Sequence, residues 1–195
     1  KLNQNQISTI LKYFGDEKDH KKIAFQLEKL RKSNKILNTD DLVRIIKNVK
    51  KNINFAKKNV ATKSLQAIRI FVNNEVSELI KGLIEATKLL NPGGILIVVS
   101  FHSLEDKIVK YFFKSLSESK SVSRYLPKTK DKINLFKLIN KKIIIPSTKE
   151  IKENPSSRSA KLRSVIKQEN VSIDETDILK KFKNLIEIEN YSNKL

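Results

Sequence analysis

The chain has 195 residues, 39% hydrophobic and 31% charged, a balance of globular rather than disordered proteins. It contains no cysteine, which excludes disulfides and thiolate metal sites, and with only His20 and His102 no metal site is expected. Forty Lys and Arg against 21 Asp and Glu give a net charge of +19, which favours a polyanionic partner such as nucleic acid. Part of that charge is compositional, since Lys outnumbers Arg 34 to 6, so the six arginines are the more informative cations. No apolar stretch approaches the roughly 20 residues of a membrane helix, so no membrane partner is expected. The polar start Lys1-Leu2-Asn3-Gln4 and the lack of cysteine set the expectation of a cytoplasmic protein. No methionine occurs, not even an initiator, so the chain is expected to be a fragment of a longer protein.

Residues 1–59 read as helical and Lys-rich, without strand signals, and predict a helical subdomain. Ile7, Ile10, Leu11 and Phe14 share one face of a first helix that stops at Gly15. Ile23, Phe25, Leu27 and Leu30 form a second stripe. A third helix opens at Asn38 or Thr39, with Asp40 and Asp41 in its first turn, and continues through Leu42, Ile45, Ile46 and Val49. The basic face of this block suits RNA as well as plain solvent.

Residues 60–167 predict an α/β segment. Leu65, Ile68, Val72, Val76, Leu79, Leu83, Ala86 and Leu90 recur at three and four residues and predict one long helix from Thr62 to Leu90. Asn91-Pro92-Gly93-Gly94 ends it. The unbroken apolar run Ile95-Leu96-Ile97-Val98-Val99 suits a strand buried on both faces of a parallel sheet. Ligands of such sheets bind beyond the carboxyl ends of the strands, where Ser100, Phe101, His102 and Ser103 fall. Ser103-Leu104-Glu105-Asp106 reads as a capping box with Ser103 as N-cap and Asp106 three residues on, opening a helix with Ile108, Val109, Phe112 and Phe113. His102 stands between a structural turn residue and a site residue.

Ser115 to Lys132 is polar and predicts a loop. Residues 134–139 and 142–145 predict a hairpin turning at Asn140-Lys141, and Ser147-Thr148-Lys149-Glu150 starts a short helix. From Asn154 to Val165, hydroxyl residues alternate with Arg158, Lys161 and Arg163, which fits a phosphate-gripping turn before a strand and equally an ordinary basic turn. Residues 168–195 predict a helical or partly disordered tail carrying Ile178, Leu179, Phe182 and Leu185.

Four segments, in order, resemble one family: Thr62-Lys63-Ser64-Leu65-Gln66-Ala67-Ile68-Arg69-Ile70, the Pro92-Gly93-Gly94 turn, Ser100-Phe101-His102-Ser103-Leu104-Glu105-Asp106, and Asn154-Pro155 with Arg158-Ser159-Ala160-Lys161-Leu162-Arg163. Together they are similar to the RsmH (MraW) family of small-subunit ribosomal RNA (cytosine-N4)-methyltransferases, over about residues 7 to 167. Phe14-Gly15-Asp16-Glu17 also resembles a helix start in that family's inserted helical domain. The resemblance implies a class I, Rossmann-like methyltransferase core interrupted by an all-helical RNA-recognition subdomain. It implies S-adenosylmethionine as methyl donor and the exocyclic N4 of a decoding-region cytidine in 16S rRNA, free or in an assembling 30S particle, as acceptor; a homodimer is compatible with it.

The family's glycine-rich cofactor loop, ribose-binding acid and Asp-Leu-Gly-Val-Ser-Ser-Pro catalytic loop precede the insert and have no counterpart here. The resemblance therefore implies the C-terminal portion of the enzyme, with no cofactor-binding residues of its own and no activity alone. Asn59-Val60 replaces the family's His-Pro, and Lys63 and Leu65 stand where it has Arg and Phe. Lys63 keeps the charge but gives up bidentate phosphate recognition.

The implied transfer needs no covalent enzyme intermediate, only an amine held in line with the methyl group and acceptors for its N–H. The base must first leave its stack. On this reading Ser100, Phe101, His102 and Ser103 wall the base pocket, and Lys63, Arg69, Arg158, Lys161 and Arg163 hold RNA. Two other classes fit parts of the sequence. One is a non-catalytic basic RNA-binding module; the other is a scaffold in which Ser100 to Asp106 is only a well-capped helix start.

Overall fold

Periodicity in the first quarter of the chain becomes three helices, the first and third of which are capped by a neighbouring side chain. The computed structural model describes residues 1–33, 36, 38–50, 60–118, 134–170 and 172–191. They form two compact units, Lys1–Ser77 with Lys183–Leu195, and Glu78–Phe182.

In the first unit, α1 (Gln4–Gly15) opens on a reciprocal cap. The Asn3 side chain accepts the Gln6 amide at 2.9 Å, and the Gln6 side chain accepts the Asn3 amide at 2.8 Å. Ile10, Leu11 and Phe14 are buried as the periodicity predicts. The left-handed residue at the helix end is Asp16, with φ +47°, rather than Gly15. Gly15 is required for a different reason: a Cβ there would sit 2.4 Å from the carbonyl oxygen of Lys63.

Helix α2 (His20–Lys32) buries Ile23, Ala24 and Leu27 but leaves Phe25 51% exposed, so the expected second stripe loses that residue. Two positions from Ile23 is more than half a turn, which carries Phe25 to the other side of the helix. Helix α3 (Thr39–Val49) starts where predicted, with Asn38 accepting the Asp41 amide at 2.9 Å.

The predicted 29-residue helix is two helices, α4 (Thr62–Asn73) and α5 (Glu75–Leu89), interrupted at Asn74, whose φ is +51°. Asparagine is among the few side chains that tolerate this conformation. The interruption also has a partner that periodicity does not reveal. The buried carboxylate of Glu189, 113 residues further on, accepts the amides of Val76 at 2.8 Å and Ser77 at 2.9 Å, as well as the Ser77 hydroxyl. A second buried network joins three helices of this unit. Glu17, after α1, receives Lys50 Nζ at 2.6 Å and the Ser64 hydroxyl at 2.8 Å. Lys50 also donates to the Val60 carbonyl at 3.0 Å.

The second unit is built on an antiparallel sheet of β1 (Ile95–Ser100), β2 (Phe136–Leu138) and β3 (Lys161–Lys167) in the order β1-β3-β2. The pairing β1 to β3 sets Ile97 opposite Ser164 and Ser100 opposite Lys161. A parallel neighbour with both faces covered was expected for β1. Instead Ile95, Ile97 and Val99 are 54%, 57% and 47% exposed. Alternate residues of a strand point to opposite faces, and helix α6 (Ser103–Ser117) contacts β1. The apolar run is thus a one-face core strand whose outer side chains are also apolar.

The predicted hairpin is also corrected. Phe136–Leu138 and Ile144 each pair with β3, not with each other; Ile144 and Leu162 exchange backbone bonds at 3.1 and 2.9 Å. Asn140-Lys141 lacks the glycine of a tight two-residue turn. Gly93, at φ +82°, takes the backbone through the Pro92 turn and donates its amide to Lys167 O at 2.8 Å. The buried ammonium of Lys167 then satisfies the last carbonyls of α5, Thr87 O at 2.9 Å and Leu90 O at 2.6 Å.

Phe112 and Phe113 of α6 meet Phe136 with ring centroids 6.4 and 6.0 Å apart. The loop predicted from Ser115 begins later, because α6 runs to Ser117; from residue 119 that expectation lies outside the described residues. A short α7 (Thr148–Glu153) and a 3₁₀ turn (Pro155–Ser159) precede β3. The predicted terminal helix is α8 (Glu175–Glu189), with residues in both units. Within the second unit it buries Ile178 and Phe182, and Tyr111 donates to Asp177 at 2.8 Å. Among the described residues no helix is long and apolar enough to cross a membrane.

Candidate functional site

The carboxyl end of β1 and the start of α6 are fixed by a cap shifted one residue from the expected position. The N-cap is His102, not Ser103, and the residue three on is Glu105, not Asp106. His102 Nδ1 accepts the Glu105 amide at 3.3 Å, while Glu105 Oε2 accepts the amides of Phe101 at 2.8 Å and His102 at 3.3 Å. A neutral ring accepting at Nδ1 carries its proton on Nε2, which lies 3.2 Å from Glu105 Oε1. Burial raises the Glu105 pKa, but the His102 side chain and the Phe101 amide outweigh it and hold the carboxyl below its ordinary value. Glutamate at the third helical position was the signal for this register, since a capping box uses Glu or Gln there.

The four expected wall residues therefore differ in what they present. Ser100 is buried in the sheet, its hydroxyl 3.4 Å from the Lys161 carbonyl. His102 holds the cap. Phe101 is 55% exposed, its backbone tied down by Glu105 while its ring reaches solvent. Ser103 is exposed at the first helical position.

Asp106, freed from capping, does something else. Its carboxylate receives Arg163 Nε at 2.8 Å and Nη2 at 3.2 Å, with Lys161 Nζ 3.7 Å away. Lys161 and Arg163 are two apart on β3 and so share one face. This fork bonds the strand-end segment to the basic segment that follows the 3₁₀ turn, 57 residues later.

The five expected RNA-holding cations fall in both units. Arg158, Lys161 and Arg163 belong to the unit that holds Ser100 to Ser103; Lys63 and Arg69 lie on α4 in the first unit. Four of the five already hold carboxylates. Lys63 meets the Asp16 carboxylate at 3.0 Å and the Asp16 carbonyl at 2.9 Å. That hydrogen bond, and then the Lys63 charge, holds the Asp16 carboxyl below its ordinary pKa. Arg69 clamps Glu75 at 2.8 and 3.0 Å. Arg158, exposed on the 3₁₀ turn, is the one of the five whose guanidinium pairs with none of the described residues.

Gly93-Gly94 are the only adjacent glycines, and their backbone groups are bonded to Lys167 at the end of β3. Among the described residues the geometry offers a ring platform, a positioned strand end and, at Arg158, a guanidinium without a carboxylate partner.

Residues 1–168 match the family model described as the MraW methylase family. Over 164 residues the chain is 45% identical to the ribosomal RNA small subunit methyltransferase H of Ehrlichia chaffeensis, covering 84% of the chain and 52% of the relative. The protein of the same name from Ehrlichia canis is 47% identical over 167 residues, 85% of the chain and 54% of the relative. That from Buchnera aphidicola subsp. Schizaphis graminum is 42% identical over 167 residues, 84% and 53% respectively. The chain spans about half the length of these relatives.

Proposed function

The chain belongs to the MraW methylase family, and we propose that it is the C-terminal portion of an S-adenosylmethionine-dependent enzyme methylating the exocyclic N4 of a decoding-region cytidine in 16S rRNA. The observation that carries this reading is the Asp106–Arg163 fork, which ties the strand-end segment at Phe101 to the basic turn at Arg158. In this reading Phe101 supplies the face against which the extruded base rests, and the His102–Glu105 cap fixes its backbone. Arg158 takes an RNA phosphate; Arg163 and Lys161 position the strand end through Asp106 and meet the RNA backbone at their outer edge.

Residues 1–59 act as the RNA-recognition insert, 60–167 as the C-terminal part of the core, and 168–195 as an added tail. The donor site belongs to the part of the relatives that this chain does not span. The outer face of β1, with Ile95, Ile97 and Val99 exposed, and its edge, unpaired among the described residues, supply a surface for that part. The fragment alone binds RNA without turning it over, as the alternative of a non-catalytic basic module also requires.

The test is methyl transfer from labelled donor to small-subunit particles by the complete protein. Phe101→Ala should lower turnover at least tenfold. Arg158→Ala should weaken RNA binding and reduce the slope of log affinity against log salt by about 0.7–0.9. Unchanged turnover in the first variant would remove Phe101 from the site, and an unchanged slope would remove Arg158. No transfer by the wild-type complete protein would leave the binding-module reading.

A further inference from the structure

We propose that the helical unit carries a stacking site for one unpaired nucleotide, built on Phe25. The site is an open groove of about 410 Å³ lined by Gln4 of α1, Lys21, Lys22, Phe25 and Gln26 of α2, and Val49 of α3. Its volume falls within the roughly 300–1,000 Å³ range of small-ligand sites. Phe25 is the one large aromatic of α2, and it is 51% exposed while the core of that helix is complete without it. Lys21 and Lys22 stand four and three residues before Phe25, and Gln26 stands four after Lys22, so all four share one face.

Each part of the groove matches a part of a nucleotide. The ring, with Val49 beside it, offers an apolar face on which any base can stack. Lys21 and Lys22 stand about one helical turn before Phe25, roughly 5.4 Å along the axis, a spacing that lets their long side chains meet the phosphates that flank a stacked base. Lys21 has no partner among the described residues, and Lys22 makes only an exposed 3.9 Å contact to Asp19. The amides of Gln4 and Gln26, without hydrogen-bond partners among the described residues, offer donors and acceptors to a base edge. Duplex RNA buries its base faces and cannot use the ring, so the ligand is single-stranded. This site rests on the RNA reading above but involves none of the residues assigned to methyl transfer.

The chain has no tryptophan, so Phe25→Trp in the 195-residue protein creates a single reporter at the site. Titration with a 12-nucleotide oligocytidylate should quench its emission, whereas a bound duplex of equal charge should leave it unchanged. Phe25→Leu, which keeps an apolar side chain and removes the ring, should weaken oligonucleotide binding about 5- to 150-fold with the salt slope unaltered. Lys21→Ala with Lys22→Ala should instead lower that slope by about 1.4, at roughly 0.7 per phosphate contact. Circular dichroism of the leucine variant at wild-type intensity keeps the comparison free of unfolding. Saturable oligonucleotide binding without quenching, or unchanged affinity in Phe25→Leu, overturns the stacking site. Methyl transfer by the complete protein is a separate readout: its absence alongside normal quenching would defeat the enzymatic reading and leave the stacking site standing.

Discussion

Removing the Asp106 carboxylate measures how firmly the strand end is held to the basic segment. Asp106 and Arg163 retain only 15% and 18% side-chain exposure, so the pair lies between two limits. Exposed ion pairs contribute about 0–1 kcal/mol, and breaking a fully buried one costs about 3–5 kcal/mol. Two charge-assisted bonds at 2.8 and 3.2 Å place this pair near 2 kcal/mol. Asp106 also sits in the first turn of α6, where a carboxylate adds about 0.5 kcal/mol with the helix dipole.

Asp106→Ala should therefore cost about 2.5 kcal/mol and Arg163→Met, which keeps the buried stem, about 2 kcal/mol. The double variant should cost about 2.5 kcal/mol rather than the sum, a coupling of about 2 kcal/mol. Native-state hydrogen exchange is the suitable assay, because two compact units need not unfold together. Amides of β1, β3 and the start of α6 should exchange about 60-fold faster in Asp106→Ala, at tenfold per 1.4 kcal/mol. Acceleration below about threefold, or a double variant that equals the sum of the singles, would refute the reasoning.

Three further outcomes follow from the same geometry. Gly15→Ala forces a methyl against the Lys63 carbonyl and should destabilise the helical unit by about 1–3 kcal/mol in urea unfolding, unless α1 and α4 separate freely. Glu17→Gln should cost about 3–5 kcal/mol by leaving Lys50 buried without its counter-ion, while Glu17→Leu with Lys50→Met should recover most of that loss. Glu105 has a lowered pKa, so its contribution to the start of α6 is fully present above the ordinary carboxylate range and is lost only as the pH falls through its depressed value. The Phe101 amide resonance should report that midpoint, and Glu105→Gln should abolish the transition.

Much of the fold was legible because local signals and packing agree. Asn38 and Ser147 cap where their side chains predict, and the stripe Ile10, Leu11, Phe14 is the buried face of α1. What failed were features decided by partners distant in sequence. Asn74 tolerates the left-handed break, but the apolar periodicity runs through it and the acceptor for the next helix start is Glu189, far downstream. The run Ile95 to Val99 could not say whether its neighbour is parallel, since apolar side chains are equally compatible with a covered face and an open one. Within the site the segments were right and the roles were not. Adjacent acids at Glu105 and Asp106 allow two cap registers; the capping-box preference for Glu marks the observed one, but the partner Asp106 takes instead, Arg163, lies 57 residues beyond. The five expected RNA-holding cations were visible as charge, but that four of them already hold carboxylates was not.

Closure of α5 by Glu189 has a consequence for synthesis. The family match ends at residue 168, yet the amides at the start of a helix beginning at Glu75 wait for a carboxylate 113 residues downstream. At about 5–20 residues per second, translation needs roughly 6–20 s to bring that carboxylate out after Val76 is made. During that interval the amides of Val76 and Ser77 can be satisfied only by water, and Val76 cannot be buried without loss. The helical unit, residues 1–77 with 183–195, thus closes only after the whole of residues 78–182 has been made.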